Sequence, residues 1–104
     1  FASAEVELNN KIAKAYQYLA RAYAYFGEIE KATKMMEMAD SISADSTESY
    51  YSHLRIAVLE KNDGKILHYA RLLLDNEYSF NLLIADPDFQ ILKESKFKDL
   101  LINH

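Results

Sequence analysis

The chain has 104 residues, half of them hydrophobic, with a formal charge of −4 and no cysteine. That length fits one domain, which can bury roughly 60–70% of the surface its unfolded form exposes. Without cysteine there is neither a disulfide framework nor a thiolate metal site. The acidic balance argues against nucleic acid as a partner, because phosphates need a basic face.

Two glycines and one proline are too few turn-formers for a sandwich or barrel. Ala, Leu, Glu, Lys, Met and Tyr dominate and favour helix, so an all-α fold is expected. No apolar run approaches the roughly 20 residues that span a bilayer, and no signal peptide is visible. Membrane insertion is therefore not expected, and a cytoplasmic location is. The chain opens on Phe1 rather than methionine, which reads as a piece of a larger protein.

The first helical pattern is Leu8, Ile12, Tyr16, Leu19, Tyr23 and Phe26, spaced by threes and fours as one helix face is. Its start lies near Ser3, or the chain breaks at Asn9-Asn10 and residues 2–9 belong to an earlier helix. Gly27 ends it as a glycine just past a helix does. A second helix is expected over Glu28–Ile42, with Ile29, Ala32, Met35, Met36, Ala39 and Ile42 inward. The connection is so short that the two must be antiparallel.

Asp45 and Glu48 have capping-box spacing and open a third helix over Ser46–Lys61, with Tyr50, Leu54, Ala57 and Val58 inward. Asn62-Asp63-Gly64 reads as a turn. A fourth helix follows over Lys65–Asn76, with Ile66, Tyr69, Ala70, Leu73 and Leu74 apolar. In the tail, Ser79 caps a short helix through Ala85. Asp86-Pro87 opens a turn carrying Phe89 and Leu92, and Ser95 caps a last helix with Phe97, Leu100 and Leu101.

Tyr16 and Tyr50 each stand early in the first helix of a pair, one helical-hairpin length apart. Gly27 and Gly64 are separated by slightly more, which implies an insertion near the second turn. Residues 13–46 carry Tyr16, Leu19, Ala20, Tyr23, Gly27, Ala32, Met36 and Ala39. This resembles the unit of the tetratricopeptide repeat family. That unit is about 34 residues of paired helices, whose small residues permit close approach while large ones fill the gaps. Residues 47–80 resemble a divergent second unit, and residues 81–104 resemble the segments that close such arrays.

The resemblance implies a helical-hairpin solenoid, the C-terminal end of an array in a larger bacterial protein, whose first helices line a concave groove. The groove-facing set carried over is Lys14, Gln17, Arg21, Ala24 and Tyr25, with Tyr51, Arg55 and Leu59 from the second unit. A non-catalytic module that holds a protein or peptide follows, and basic with aromatic side chains suit a carboxylate-bearing peptide. A structural spacer or homo-oligomer is the alternative, because repeat arrays expose apolar end faces.

No cofactor or metal is expected. His53, His68 and His104 lack ligand spacing. Asp86, Asp88 and Glu94 lack the glycine and later glutamate of a calcium loop, and capping accounts for Asp86 and Asp88. Ser41, Ser43, Ser46 and Ser49 flank a turn, so no Ser-His-Asp set is nominated.

Overall fold

A computed structural model of the protein describes residues 2–43, 47–76 and 78–102, the side chains of Ala2, Ser3 and Ser43 excepted. The described chain is all-α. In order, α1 is Ala2–Tyr25, α2 Ile29–Ser43, α3 Thr47–Glu60, α4 Asp63–Asp75 and α5 Phe80–Ile84. A 3₁₀ helix, Pro87–Lys93, and α6, Ser95–Ile102, complete it. α1 packs along α2 and α3 along α4, while α3 also touches α1 and α2. α1 is unbroken through Asn9-Asn10, so residues 2–9 belong to the first helix.

Two equivalent turns reverse the chain. After α1, the Glu28 N–H donates to the Tyr23 carbonyl (2.9 Å) and the Gly27 N–H to Ala24 (3.0 Å). Gly27 has φ +81, the left-handed conformation this cap demands. After α3, the Asn62 N–H donates to Ala57 (3.1 Å) and the Lys61 N–H to Val58 (3.1 Å). Lys61 takes the left-handed position there, at φ 59. The expected turn at Gly64, and the insertion inferred from it, are corrected. Asn62 caps α4 by accepting from the Lys65 N–H, and Asp63 and Gly64 already lie in the helix. Gly27 and Lys61 are separated by the same interval as Tyr16 and Tyr50, so the two hairpins turn at one spacing.

Burial follows that interval too. Ala20 pairs in this way with Leu54, Ala32 with Ile66, Met36 with Ala70 and Ala39 with Leu73, and every member is at most 1% exposed. At three of these pairs the first hairpin carries alanine where the second carries a larger side chain, and Met36 with Ala70 reverses that order. One cluster joins Ala20, Ala24, Ala32 and Met36 to Ile56 of α3. The other joins the second hairpin to Leu83, Phe89, Leu92, Phe97 and Leu101 of the tail.

The large apolar stripe of α1 is not its core face. Leu8, Ile12, Leu19 and Phe26 are 58%, 38%, 47% and 83% exposed, whereas Ala13, Gln17, Ala20 and Ala24 are buried. Both sets have helical spacing. The alanine set wins because it meets the small face of α2 and lets the axes approach closely, leaving the large stripe about 100° around the helix. α1 also overhangs the shorter α2, which leaves Val6 and Leu8 bare and lengthens the molecule to 46 Å.

The tail follows its capping signals with one shift. Ser79 Oγ accepts from the Leu82 N–H and Asp86 Oδ1 from the Asp88 N–H. Ser95 is the first residue of α6 instead of its cap, and the Glu94 carbonyl accepts from Phe97 and Lys98. Phe97 and Leu101 are buried, but Leu100 is exposed, contrary to its expected packing. The Asp45 cap, Ser46 and His104 lie outside the described residues.

Candidate binding groove

A groove of about 630 Å³ opens between α1, α3 and the tail. Its α1 wall is Lys14, Gln17, Tyr18 and Arg21; its α3 wall includes Glu48, Tyr51 and Ser52; the tail adds Tyr78, Leu82, Ala85 and Asp86. Residues 14, 17, 18 and 21 share one helix face by their three-and-four spacing. Residues 48, 51, 52 and 55 follow them at the interval that separates Tyr16 from Tyr50. The two first helices thus present the same row to the same side.

Of the groove-facing set drawn from the sequence, Lys14, Gln17, Arg21 and Tyr51 come together in the lining. Ala24 is buried in the hairpin contact, and Leu59 packs against the first core cluster. Tyr25 and Arg55 fall outside the lining and engage the tail. The Tyr25 hydroxyl donates to Asp88 Oδ2 at 3.3 Å. Sequence reasoning did not place Tyr18, Glu48, Ser52, Tyr78, Leu82, Ala85 or Asp86 in the groove. Tyr18, Glu48 and Ser52 could have been found by extending the helical row. The tail residues carry no such signal, because their approach depends on tertiary packing.

Arg55 is the centre of a charged lock. Its Nη2 donates to Asp86 Oδ2 at 3.1 Å, and its Nη1 donates to Asp88 Oδ2. The guanidinium also lies over the rings of Tyr51 (5.4 Å) and Phe89 (5.2 Å). Tyr51 Oη donates to Asp86 Oδ2 at 2.6 Å. Burial alone would oppose the charge on Arg55, but the hydrogen bond and charge of Asp86, with Asp88, outweigh it and raise the pKa. Burial likewise pushes the Asp86 carboxyl up, yet donors from Tyr51, the Asp88 N–H and Arg55 hold it below its ordinary value. The Tyr51 hydroxyl is pushed up to about 12, first by burial and then by its bond to Asp86.

The remaining groove charges differ in kind. Lys14 and Glu48 pair across it at 3.4 Å, both about half exposed, so the pair is weak and readily exchanged. Arg21 lies 5.4 Å over the Tyr18 ring, and among the described residues no carboxylate pairs with its guanidinium. Asp86 is already met by three donors. The positive charge of Arg21 is what the groove leaves uncompensated.

A second polar cluster joins the hairpins. Asp40 of α2 accepts from Ser49 Oγ (2.6 Å) through one oxygen and lies 2.7 Å from His53 Nε2 through the other. His53 stacks on Tyr69, ring centroids 4.5 Å apart. Burial, and then the Asp40 charge, raise the Tyr69 pKa. This set holds Ser, His and Asp, which sequence spacing did not nominate. Its order is wrong for a nucleophile, because the carboxylate sits between hydroxyl and imidazole where a triad places the imidazole. It ties α2 to α3. Among the described residues no group of three or more His, Asp or Glu could hold a metal ion, and no helix is long and apolar enough to cross a membrane.

Comparison with protein-family models, curated proteins and solved structures gives no match.

Proposed function

We propose that this chain is a non-catalytic binding module, the C-terminal end of a tetratricopeptide-like array, which holds a segment of a partner protein or peptide in the groove between α1, α3 and the tail. The groove itself carries the reading. Its volume of about 630 Å³ falls in the range of ligand sites, and its lining sets three tyrosines, Leu82 and Ala85 among six polar or charged side chains. The exposed Tyr18 and Leu82 offer apolar contact at its rim. The recurrence of burial and of the turn cap at one interval supports the array reading. A non-catalytic role is supported by the use of both polar clusters as struts between elements.

Selection of a displayed peptide library against the chain, followed by amide shift mapping, tests this. Binders should perturb Lys14, Gln17, Tyr18, Arg21 and Tyr51, and Tyr18→Ala with Leu82→Asp should weaken them at least about tenfold without lowering Tm, because both side chains are exposed. Binders that perturb none of these residues refute the groove assignment.

A second reading, self-association or stacking on a neighbouring domain, is favoured by the bare stripe Leu8, Ile12, Leu19 and Phe26. Sedimentation at rising concentration tests the self-association form. A dimer dissolved by Leu19→Glu supports it, and a monomer throughout refutes it.

A further inference from the structure

The groove reading leaves open what it holds, and the chain supplies an internal comparison. Arg21 and Arg55 occupy the same place in successive units, on the equivalent face of α1 and α3. Each guanidinium lies 5.4 Å over a tyrosine of its own helix, Tyr18 or Tyr51. Arg55 is covered by an acidic capped turn, Asp86-Pro87-Asp88-Phe89. Both carboxylates meet its guanidinium, and the phenylalanine ring packs against it. Pro87 stands at the start of the 3₁₀ helix and Asp86 caps it, so the turn presents its two carboxylates already fixed in position.

Arg21 has the cation and the ring but, among the described residues, no such cover. It faces the groove, where Lys14 is joined only to an exposed Glu48. Three conditions therefore coincide there: an uncompensated guanidinium, a second cation whose partner is exchangeable, and an open volume bordered by Tyr18, Tyr51, Tyr78 and Leu82. Bidentate carboxylate recognition suits an arginine better than a lysine, because the planar guanidinium offers parallel donors.

Resting on the groove reading, we propose that Arg21 receives an acidic capped turn of a partner protein, an Asp-x-Asp-aromatic segment of the kind the tail lays on Arg55. The carboxylates engage Arg21, with Lys14 released from Glu48 as the second contact. The aromatic residue packs among the tyrosines. Such a ligand is pre-ordered, which lowers the entropy lost on binding. It is anionic, so its affinity falls with salt.

The test uses the whole chain and two peptides. One is acetyl-Ile-Ala-Asp-Pro-Asp-Phe-Gln-Ile-amide, the sequence of the tail turn. The other has asparagine at both aspartate positions. Binding is read by fluorescence anisotropy and amide shifts. The acidic peptide should bind at least about tenfold tighter than the amide peptide, the scale of a charge-assisted hydrogen-bond pair. It should shift Gln17, Tyr18 and Arg21, and Arg21→Met should abolish the preference while leaving Tm unchanged. Equal binding of the two peptides with shifts in the groove overturns the acidic-turn proposal and leaves the groove reading standing. A preference that survives Arg21→Met overturns it too, by placing the anion elsewhere. Absence of binding by either peptide at millimolar concentration also overturns it, while library selection judges the groove reading separately.

Discussion

Replacing Arg55 dissects the lock that fastens the tail to α3. Its side chain is 12% exposed, against 20% for Asp86 and 43% for Asp88. Breaking a fully buried pair costs about 3–5 kcal/mol and an exposed one about 0–1 kcal/mol. Asp86 lies nearer the first limit and Asp88 nearer the second, so loss of the cation should cost about 2 kcal/mol. Arg55→Met removes the charge but keeps most of the stem between Tyr51 and Phe89. Arg55→Ala also loses that packing, roughly another 1 kcal/mol. Arg55→Lys keeps the charge but not the fork, and should fall between wild type and Met. Urea unfolding followed by circular dichroism at pH 7 gives the series, and in Tm the Met variant should fall by roughly 8–15 °C.

The pH dependence of the Arg55→Met gap then separates charge from packing. The folded-state pKa of Asp86 is held below its ordinary value of 3.8. Its contribution is complete above that value and is lost as pH falls through the folded pKa. The gap between wild type and Arg55→Met should therefore close on acidification below about pH 4. A Met variant within about 0.5 kcal/mol of wild type at pH 7 would mean that desolvation cancels the attraction, as it does for some buried pairs. A gap that persists undiminished after Asp86 protonates would mean that Arg55 acts by packing of the guanidinium itself on the Tyr51 and Phe89 rings, which the methionine stem does not replace. Either result refutes the electrostatic account of the lock.

The paired turns give a second expectation. Gly27→Ala should cost about 1 kcal/mol, from backbone strain alone, since an added Cβ meets nothing within 4 Å. Lys61→Gly should gain about 0.5–1 kcal/mol by relieving the same conformation, and the double variant should lie close to wild type in chemical denaturation. At alkaline pH, Tyr51 supplies another. With its pKa raised to about 12, its contribution is present below the ordinary value of 10 and is lost as pH rises from there to about 12. Tyr51→Phe should be less stable at pH 7 by about 1–2 kcal/mol, the scale of a hydroxyl bond to a carboxylate. The deficit should shrink above about pH 10 in the same unfolding assay, and a constant deficit would show that the bond to Asp86 is not its source.

The residues that sequence reading caught and missed share a physical logic. Gly27 was legible because a left-handed cap strongly favours glycine, so the residue names its own conformation. Lys61 adopts that conformation without any such signature, and nearby Gly64 acted as a decoy. The stripe of α1 misled for a related reason. Helical spacing identifies a face but not its partner, and α1 has two spaced faces, one of large residues and one of alanines. Alanine packs by allowing approach, an effect that depends on the opposing Ala32, Met36 and Ala39 of α2 and is silent in local hydrophobicity.

Arg21 and Arg55 sharpen the point. Both are arginines, separated by the same interval as the two turns, each beside a tyrosine of its own helix. One is consumed by two carboxylates of the distant tail, and the other opens to the groove. Register alone predicts that they are alike, and up to the helix surface they are. Their difference arises because the chain continues past the second hairpin and folds its acidic turn back onto α3, whereas α1 has no equivalent turn among the described residues. The sequence therefore reveals which side chains share a face. Which of them is left open to the groove is decided by the tail.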